Sequence, residues 1–227
     1  EGKRYDVRAQ ADVNHRIAIF ATPNYNRVSY GGGGEVFRAE RDGTYIVKVR
    51  SIGDGTGTYT LGVQQIQPTD LGSVPGTGTG TLDDAPFPTW YKFSSKQQAA
   101  YQLVLETTGT DFPGRVAAFD GRDMNRLQGG GVGITPVRPG FTGPVYVAVY
   151  EKNQGGSADY DYELSVRTMA IKSITAGQTN TGKLGSGQDR VLYTFSAGKG
   201  AVDVDVTSDG AWTPKVKLVE QGDLDPV

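Results

Sequence analysis

A spacing of about 100 residues runs through this chain and constrains what it can fold into. Gly143, Val145, Val147 and Val149, followed by Tyr162, Leu164 and Val166, repeat Gly43, Tyr45, Val47 and Val49, followed by Tyr59, Leu61 and Val63. A second echo links the middle to the end. Tyr91-Lys92-Phe93-Ser94 returns as Tyr193-Thr194-Phe195-Ser196, and Pro113-Gly114-Arg115-Val116 returns as Thr213-Pro214-Lys215-Val216. A repeat of this length is one folding unit copied, so the chain divides into a whole unit at 69–168, an incomplete unit with late strands at 1–68 and an incomplete unit with early strands at 169–227. Half-units leave sheet edges and apolar faces uncovered. The expectation is therefore part of a longer polypeptide, or a subunit whose ends are completed by neighbours.

Alternation decides the secondary structure. Tyr45, Val47 and Val49 take one face while Ile46, Lys48 and Arg50 take the other, a period of two. Tyr59 to Val63, Tyr91 to Phe93, Tyr162 to Val166 and Val202 to Val206 alternate in the same way, and turn pairs such as Asp42-Gly43, Asp54-Gly55 and Asp209-Gly210 separate the runs. Strands with one wet face belong to antiparallel sheets. The reading is all-β: tandem antiparallel β-sandwich, jelly-roll-like units of about 100 residues. Tyr5, Tyr45, Tyr59 and Tyr162 fall on the inward phase and are expected in the core. Gly31–Gly34 and Gly129–Gly131 read as wide turns between strands, because a phosphate-cradling loop needs a following helix that neither has. Gly72–Gly80, with its counterpart Thr175–Gly182, reads as a loosely paired edge strand ahead of Leu82.

The chemistry on offer is narrow. There is one His and no Cys, so His15 is the only candidate base for a nucleophilic triad, and it is expected in an exposed turn. Zinc, copper and iron sites want several His or Cys ligands. Calcium, which needs only oxygen ligands on loops, is the candidate ion, with Asp83-Asp84 the best cluster, then Asp159 with Asp161, then Asp120 with Asp123. A net charge of −2 with both signs mixed gives no footprint for nucleic acid, and no apolar run is long enough to span a bilayer. Trp90 and Trp212 are the candidate contact residues. Alternation sets Trp90 opposite Tyr91 and Phe93, at the surface or against a neighbouring unit, while Trp212 matches Phe112 as a plug at one end of the sandwich.

The order of these elements resembles the bacterial pre-peptidase C-terminal domain: a Tyr-x-Phe strand (Tyr91, Phe93), an alternating strand, a short apolar strand ending in Phe119, a glycine loop, then Gly-x-Val-Tyr-Val-x-Val from Gly143 and Tyr-x-Leu-x-Val from Tyr162. The resemblance implies a β-sandwich module of secreted or cell-surface proteins without catalysis of its own. Some relatives bind collagen or polysaccharide, and some hold calcium on an acidic segment that only Asp83 and Asp84 match here. Two functions follow as expectations. One is a structural or adhesive repeat region of a larger extracellular protein, contacting adjoining units or neighbouring copies as stalk, matrix or filament. The other is an accessory module that directs a secreted hydrolase to protein or polysaccharide.

Overall fold

The computed structural model describes residues 2–82, 87–97, 99–107, 113–151, 159–182, 191–196, 203–208 and 216. Its strands are β1 (Arg4–Ala11), β2 (His15–Ala21), β3 (Asn26–Gly31), β4 (Gly34–Arg38), β5 (Tyr45–Ser51), β6 (Tyr59–Gln65), β7 (Thr69–Asp70), β8 (Gly76–Leu82), β9 (Thr89–Ser95), β10 (Ala100–Thr107), β11 (Gly114–Asp120), β12 (Arg126–Gly130), β13 (Gly133–Val137), β14 (Gly143–Glu151), β15 (Tyr160–Met169), β16 (Ile171–Ser173) and β17 (Leu192–Thr194). Every described element is a strand, as the period of two requires.

Two sandwiches result. The second faces a four-stranded sheet, β13-β10-β15-β8, with a five-stranded one, β12-β11-β14-β9-β7. The first faces β4-β1-β6 with β3-β2-β5. Strand for strand, the first reproduces the second without partners for β8 and β9. β6 holds the place of β15 and β5 that of β14, and both end their sheets. The hairpins β3–β4 and β12–β13 pass from one sheet to the other through the two glycine stretches.

Each core follows from the inward phase. Val145, Val147 and Val149 of β14, Leu103 and Leu105 of β10, and Leu164 and Val166 of β15 interdigitate with Tyr91 and Phe93 between the sheets of the second sandwich. In the first, Val7, Ala9, Ile17, Ile19 and Phe37 form a smaller core with Tyr5 and Tyr45 packed on it, Phe37 lying between the two rings at centroid distances of 5.5 and 5.2 Å. The edge strand expected from the Gly/Thr-rich stretch is β8, antiparallel to β15 from Tyr160↔Leu82 to Val166↔Gly76.

Two expectations are corrected. Tyr59 is not a core residue: it is 60% exposed, with Leu61 at 39% and Val63 at 57%, because β6 has the inward pattern but, among the described residues, no flanking strand on its outer edge to close over it. Residues 203–208 carry no strand despite their alternation. A strand is defined by the ladder it joins, and residues 203–208 pair with no described strand.

Candidate functional site

The feature that organises the molecule is a seam in which the outer face of β4-β1-β6 lies on the outer face of β12-β11-β14-β9-β7. On the second sandwich the outward phase presents Trp90, Ala117, Phe119, Tyr146 and Ala148, with Met124 beside them, and Ile66 and Val36 of the first sandwich pack against this surface. Small residues let the sheets approach and the aromatic rings fill the gaps, with Trp90 and Phe119 at 5.4 Å between centroids.

The first sandwich brings charge to the seam. Arg4 sets its guanidinium 4.6 Å over the Tyr146 ring and donates from Nε to the Gly121 carbonyl at 3.1 Å, with a second, shorter bond from Nη2. Arg38 donates from Nη1 to the Arg122 carbonyl at 2.8 Å. Asp6 is fully buried and bound in a fork by Arg8, Nε to Oδ1 at 2.6 Å and Nη2 to Oδ2 at 3.1 Å. Burial pushes the Asp6 carboxyl above its usual range, against the opposing pull of Arg8 and a smaller one from the Trp90 indole. The indole Nε1 lies close enough to favour the ionised carboxylate but completes no hydrogen bond. Glu35, also raised by burial, accepts from Ser29 Oγ at 2.5 Å. The glycine stretch makes room for these side chains: a Cβ at Gly31 would sit 1.9 Å from Glu35 Oε1, and one at Gly34 would sit 2.5 Å from Arg8 Nη1.

Trp90 is thus 5% exposed, the contact of one unit with its neighbour, and its ring faces offer nothing to a polymer in solution. Asp83, Asp84 and Trp212 lie outside the described residues. Asp161 accepts from Thr81 Oγ1 at 2.8 Å across the β15–β8 ladder. Asp120 takes Arg122 Nε at 3.0 Å and Nη2 at 2.5 Å plus the Arg122 backbone N–H at 2.8 Å, while Asp123 closes a turn onto the Asn125 backbone N–H at 2.9 Å. Among the described residues no three His, Asp or Glu side chains gather as metal ligands. His15 opens β2 instead of sitting in a turn, with Nε2 at 2.9 Å from the Ala9 carbonyl and Nδ1 at 3.1 Å from that of Val13. Both ring nitrogens are thus held by backbone carbonyls. Among the described residues, no helix is long and apolar enough to cross a membrane.

Sequence reading missed Arg4, Asp6 and Arg8, because charge at alternate positions of a strand reads as a solvent face. The available signal lay on the other partner, where Phe119, Tyr146 and Ala148 occupy outward positions that water should fill with polar groups.

Neither a family model nor a curated protein matches the chain. Among solved structures, the chain is similar to the pre-peptidase C-terminal domain of a collagenase from Bacillus anthracis, with 18% identity over 46% of this chain and 100% of that one and a TM-score of 0.36. It is similar to the periplasmic inhibitor of g-type lysozyme PliG from Aeromonas hydrophila, with 11% identity, 45% and 100% coverage and a TM-score of 0.31. The CUB1-EGF-CUB2 fragment of human MASP-1/3 aligns over 73% of this chain and 89% of its own, at 10% identity and a TM-score of 0.24. The fold assignment rests on strand order and register in this chain, and the domain type suggested by its strand sequence is one of these neighbours.

Proposed function

We propose that this chain is a non-catalytic structural and adhesive stretch of a larger bacterial protein that works outside the cell, in which successive β-sandwiches are locked face to face into a stiff support. The observation that carries this reading is the seam. Linked modules that only need proximity use flexible linkers and polar, loosely packed contacts. Here a buried tryptophan, the buried Asp6 held by a half-buried Arg8, and cross-seam bonds from Arg4 and Arg38 set one relative orientation. Residual dipolar couplings test it directly: both sandwiches should share one alignment tensor, and Trp90→Ala should separate the tensors while each sandwich stays folded. Two unrelated tensors in the unmodified protein would overturn the reading.

A second reading, an accessory module that holds an acidic polysaccharide, is favoured by one observation. Arg115 and Arg126 line a shallow depression with Gly129, Gly130 and Tyr150, and Arg8 stands 5.9 Å from the Tyr150 ring centroid. Retention on an insoluble uronic-acid polymer, lost in Arg115→Ala/Arg126→Ala, would establish it. Equal retention of the variant would dismiss it.

A further inference from the structure

The surface of sandwich one that faces away from the seam, the outer face of β3-β2-β5, is basic in a chain of net negative charge. Its strands contain Arg16, Arg27, Lys48 and Arg50 and no Asp or Glu, whereas the whole chain carries −2. The ladders gather these side chains on the outward phase. Arg16 lies opposite Arg50, Ala18 lies between Lys48 and Tyr30, and Phe20 lies opposite Arg27. All four cations are exposed, and among the described residues none of them forms a salt bridge with a carboxylate.

Tyr30 organises the cluster. Its hydroxyl oxygen accepts from Arg16 Nη1 at 2.5 Å and from Arg50 Nη2 at 2.9 Å. The guanidinium carbons of Arg27, Arg16 and Arg50 stand 5.0, 5.3 and 5.9 Å from its ring centroid. The hydrogen bonds from Arg16 and Arg50 also hold the phenol below its ordinary pKa. Like charges directly opposite in a ladder repel. Here a neutral oxygen draws two of them together, so their positions are fixed while their charge stays uncompensated. A guanidinium has five N–H donors, and one bond to Tyr30 leaves most of each fork open to a ligand.

We propose that this face binds an anionic polysaccharide, sulfated or built of uronic acids, whose acidic groups dock on Arg16, Arg27 and Arg50 with Lys48 extending the track along β5. Charge complementarity sets the sign of the ligand, and shape sets its class. The cluster crosses three adjacent strands about 4.8 Å apart on an open sheet, which suits fixed charges repeated along an extended chain. Guanidinium forks match the paired oxygens of carboxylate and sulfate. Ile46 and Phe20, on the same outward phase, offer apolar contact to the C–H faces of sugar rings. Peptide recognition draws its specificity from pockets or an added strand, and neither takes part in this cluster. The site is separate from the Arg115–Arg126 depression on sandwich two, and it goes beyond the seam, which needs no ligand.

Biolayer interferometry of the full chain on immobilised dextran sulfate, polygalacturonate and uncharged dextran, at about 0.15 M salt, is the test. The chain should bind at least one of the two acidic polymers and ignore dextran. Arg16→Ala/Arg50→Ala should weaken that binding at least about tenfold. Lys96→Ala/Arg167→Ala, which removes as much charge from exposed positions of sandwich two, should weaken it far less. Tyr30→Phe keeps every charge and deletes only the oxygen that gathers the pair, so it should still weaken binding several-fold, a loss that net charge does not explain. All these positions are exposed, and unchanged circular dichroism verifies folding. Failure of the unmodified chain to bind either acidic polymer overturns the proposal, as do equal losses from the two double variants. Tighter binding to polyglutamate would assign the face to an acidic protein, and binding abolished only by Arg115→Ala/Arg126→Ala would assign it to the depression; each also overturns the proposal. None of these results touches the structural reading, which fails only if the dipolar couplings show the two sandwiches tumbling apart.

Discussion

The two sandwiches use nearly the same strands, yet they bury their residues differently. Val145, Val147 and Val149 have no measurable exposure, while Val47 and Val49, at the same positions, are only partly covered. Tyr162, Leu164 and Val166 are sealed and Tyr59, Leu61 and Val63 are not. Alternation states which face a side chain takes, but the neighbouring strand decides whether that face is dry. β8 and β9 make the difference, and β8 is composed largely of Gly and Thr, so closure here is a matter of backbone reach more than of apolar bulk.

The sharpest way to break this comparison is a paired truncation. Leu164→Ala empties a fully buried site and should cost about 2–5 kcal/mol in chemical denaturation. Leu61→Ala at the matching position of β6 should cost less than about 1 kcal/mol in the monomer, because the side chain is already wet. Equal costs would mean that the face of sandwich one is covered after all.

A second comparison concerns charge. Asp6–Arg8 and Asp120–Arg122 are the same motif, a carboxylate and a guanidinium two residues apart, with opposite outcomes. Burial dominates at Asp6, beneath the second sandwich, and its pKa is raised. At Asp120 burial also acts upward, but the Arg122 side chain and the Arg122 backbone N–H together win, and the pKa is lowered. The signs follow by linkage. Asp6 binds its proton more tightly folded than unfolded, so folding gains stability as pH falls from the raised value toward 3.8. Asp120 contributes fully above 3.8 and loses that contribution as pH falls through its lowered value. Asp6→Asn should change stability by less than about 1 kcal/mol near neutrality, because the amide removes a charge that burial already opposes and Arg8 retains some access to water. Urea midpoints against pH should then show the gap between parent and Asp6→Asn widening on acidification, and the gap to Asp120→Asn closing below 3.8. Parallel gaps would refute the contrast.

How far the sequence carries this picture depends on the range of the interaction that decides each residue. Strand identity is local, and the alternation of Tyr45 to Val49 or Tyr162 to Val166 displays it. The order of strands in each sheet follows from the repeat once one unit is understood. Burial of Tyr59 and strand formation at residues 203–208 depend on a partner elsewhere, and the residues themselves carry no mark of it. The seam was half legible. The outward phase of Trp90 is plain from Tyr91 and Phe93, whereas Asp6 and Arg4 look like ordinary surface charges until a second sheet is laid over them. The inverse holds for Asp120 and Asp161, whose acidic loop setting suggested an ion and whose actual partners are Arg122 and Thr81.

The smallest effect tests the resemblance between the β8 strand and its unpaired counterpart. A Cβ at Gly80 would come within 2.6 Å of the Tyr162 hydroxyl and 3.0 Å of the Tyr91 hydroxyl, so Gly80→Ala must push two packed rings whose hydroxyls bond each other at 3.0 Å. Overpacking of this kind costs about 1–2 kcal/mol on an edge strand that can shift a little. Gly182→Ala meets the Tyr193 hydroxyl at 3.2 Å and Lys172 Nζ at 3.9 Å, the tips of two side chains with solvent to move into, and should change stability by less than about 0.5 kcal/mol. Equal losses of melting temperature for the two variants would show that 175–182 is packed as tightly as β8, and a loss confined to Gly80→Ala that only β8 is closed over by packed rings.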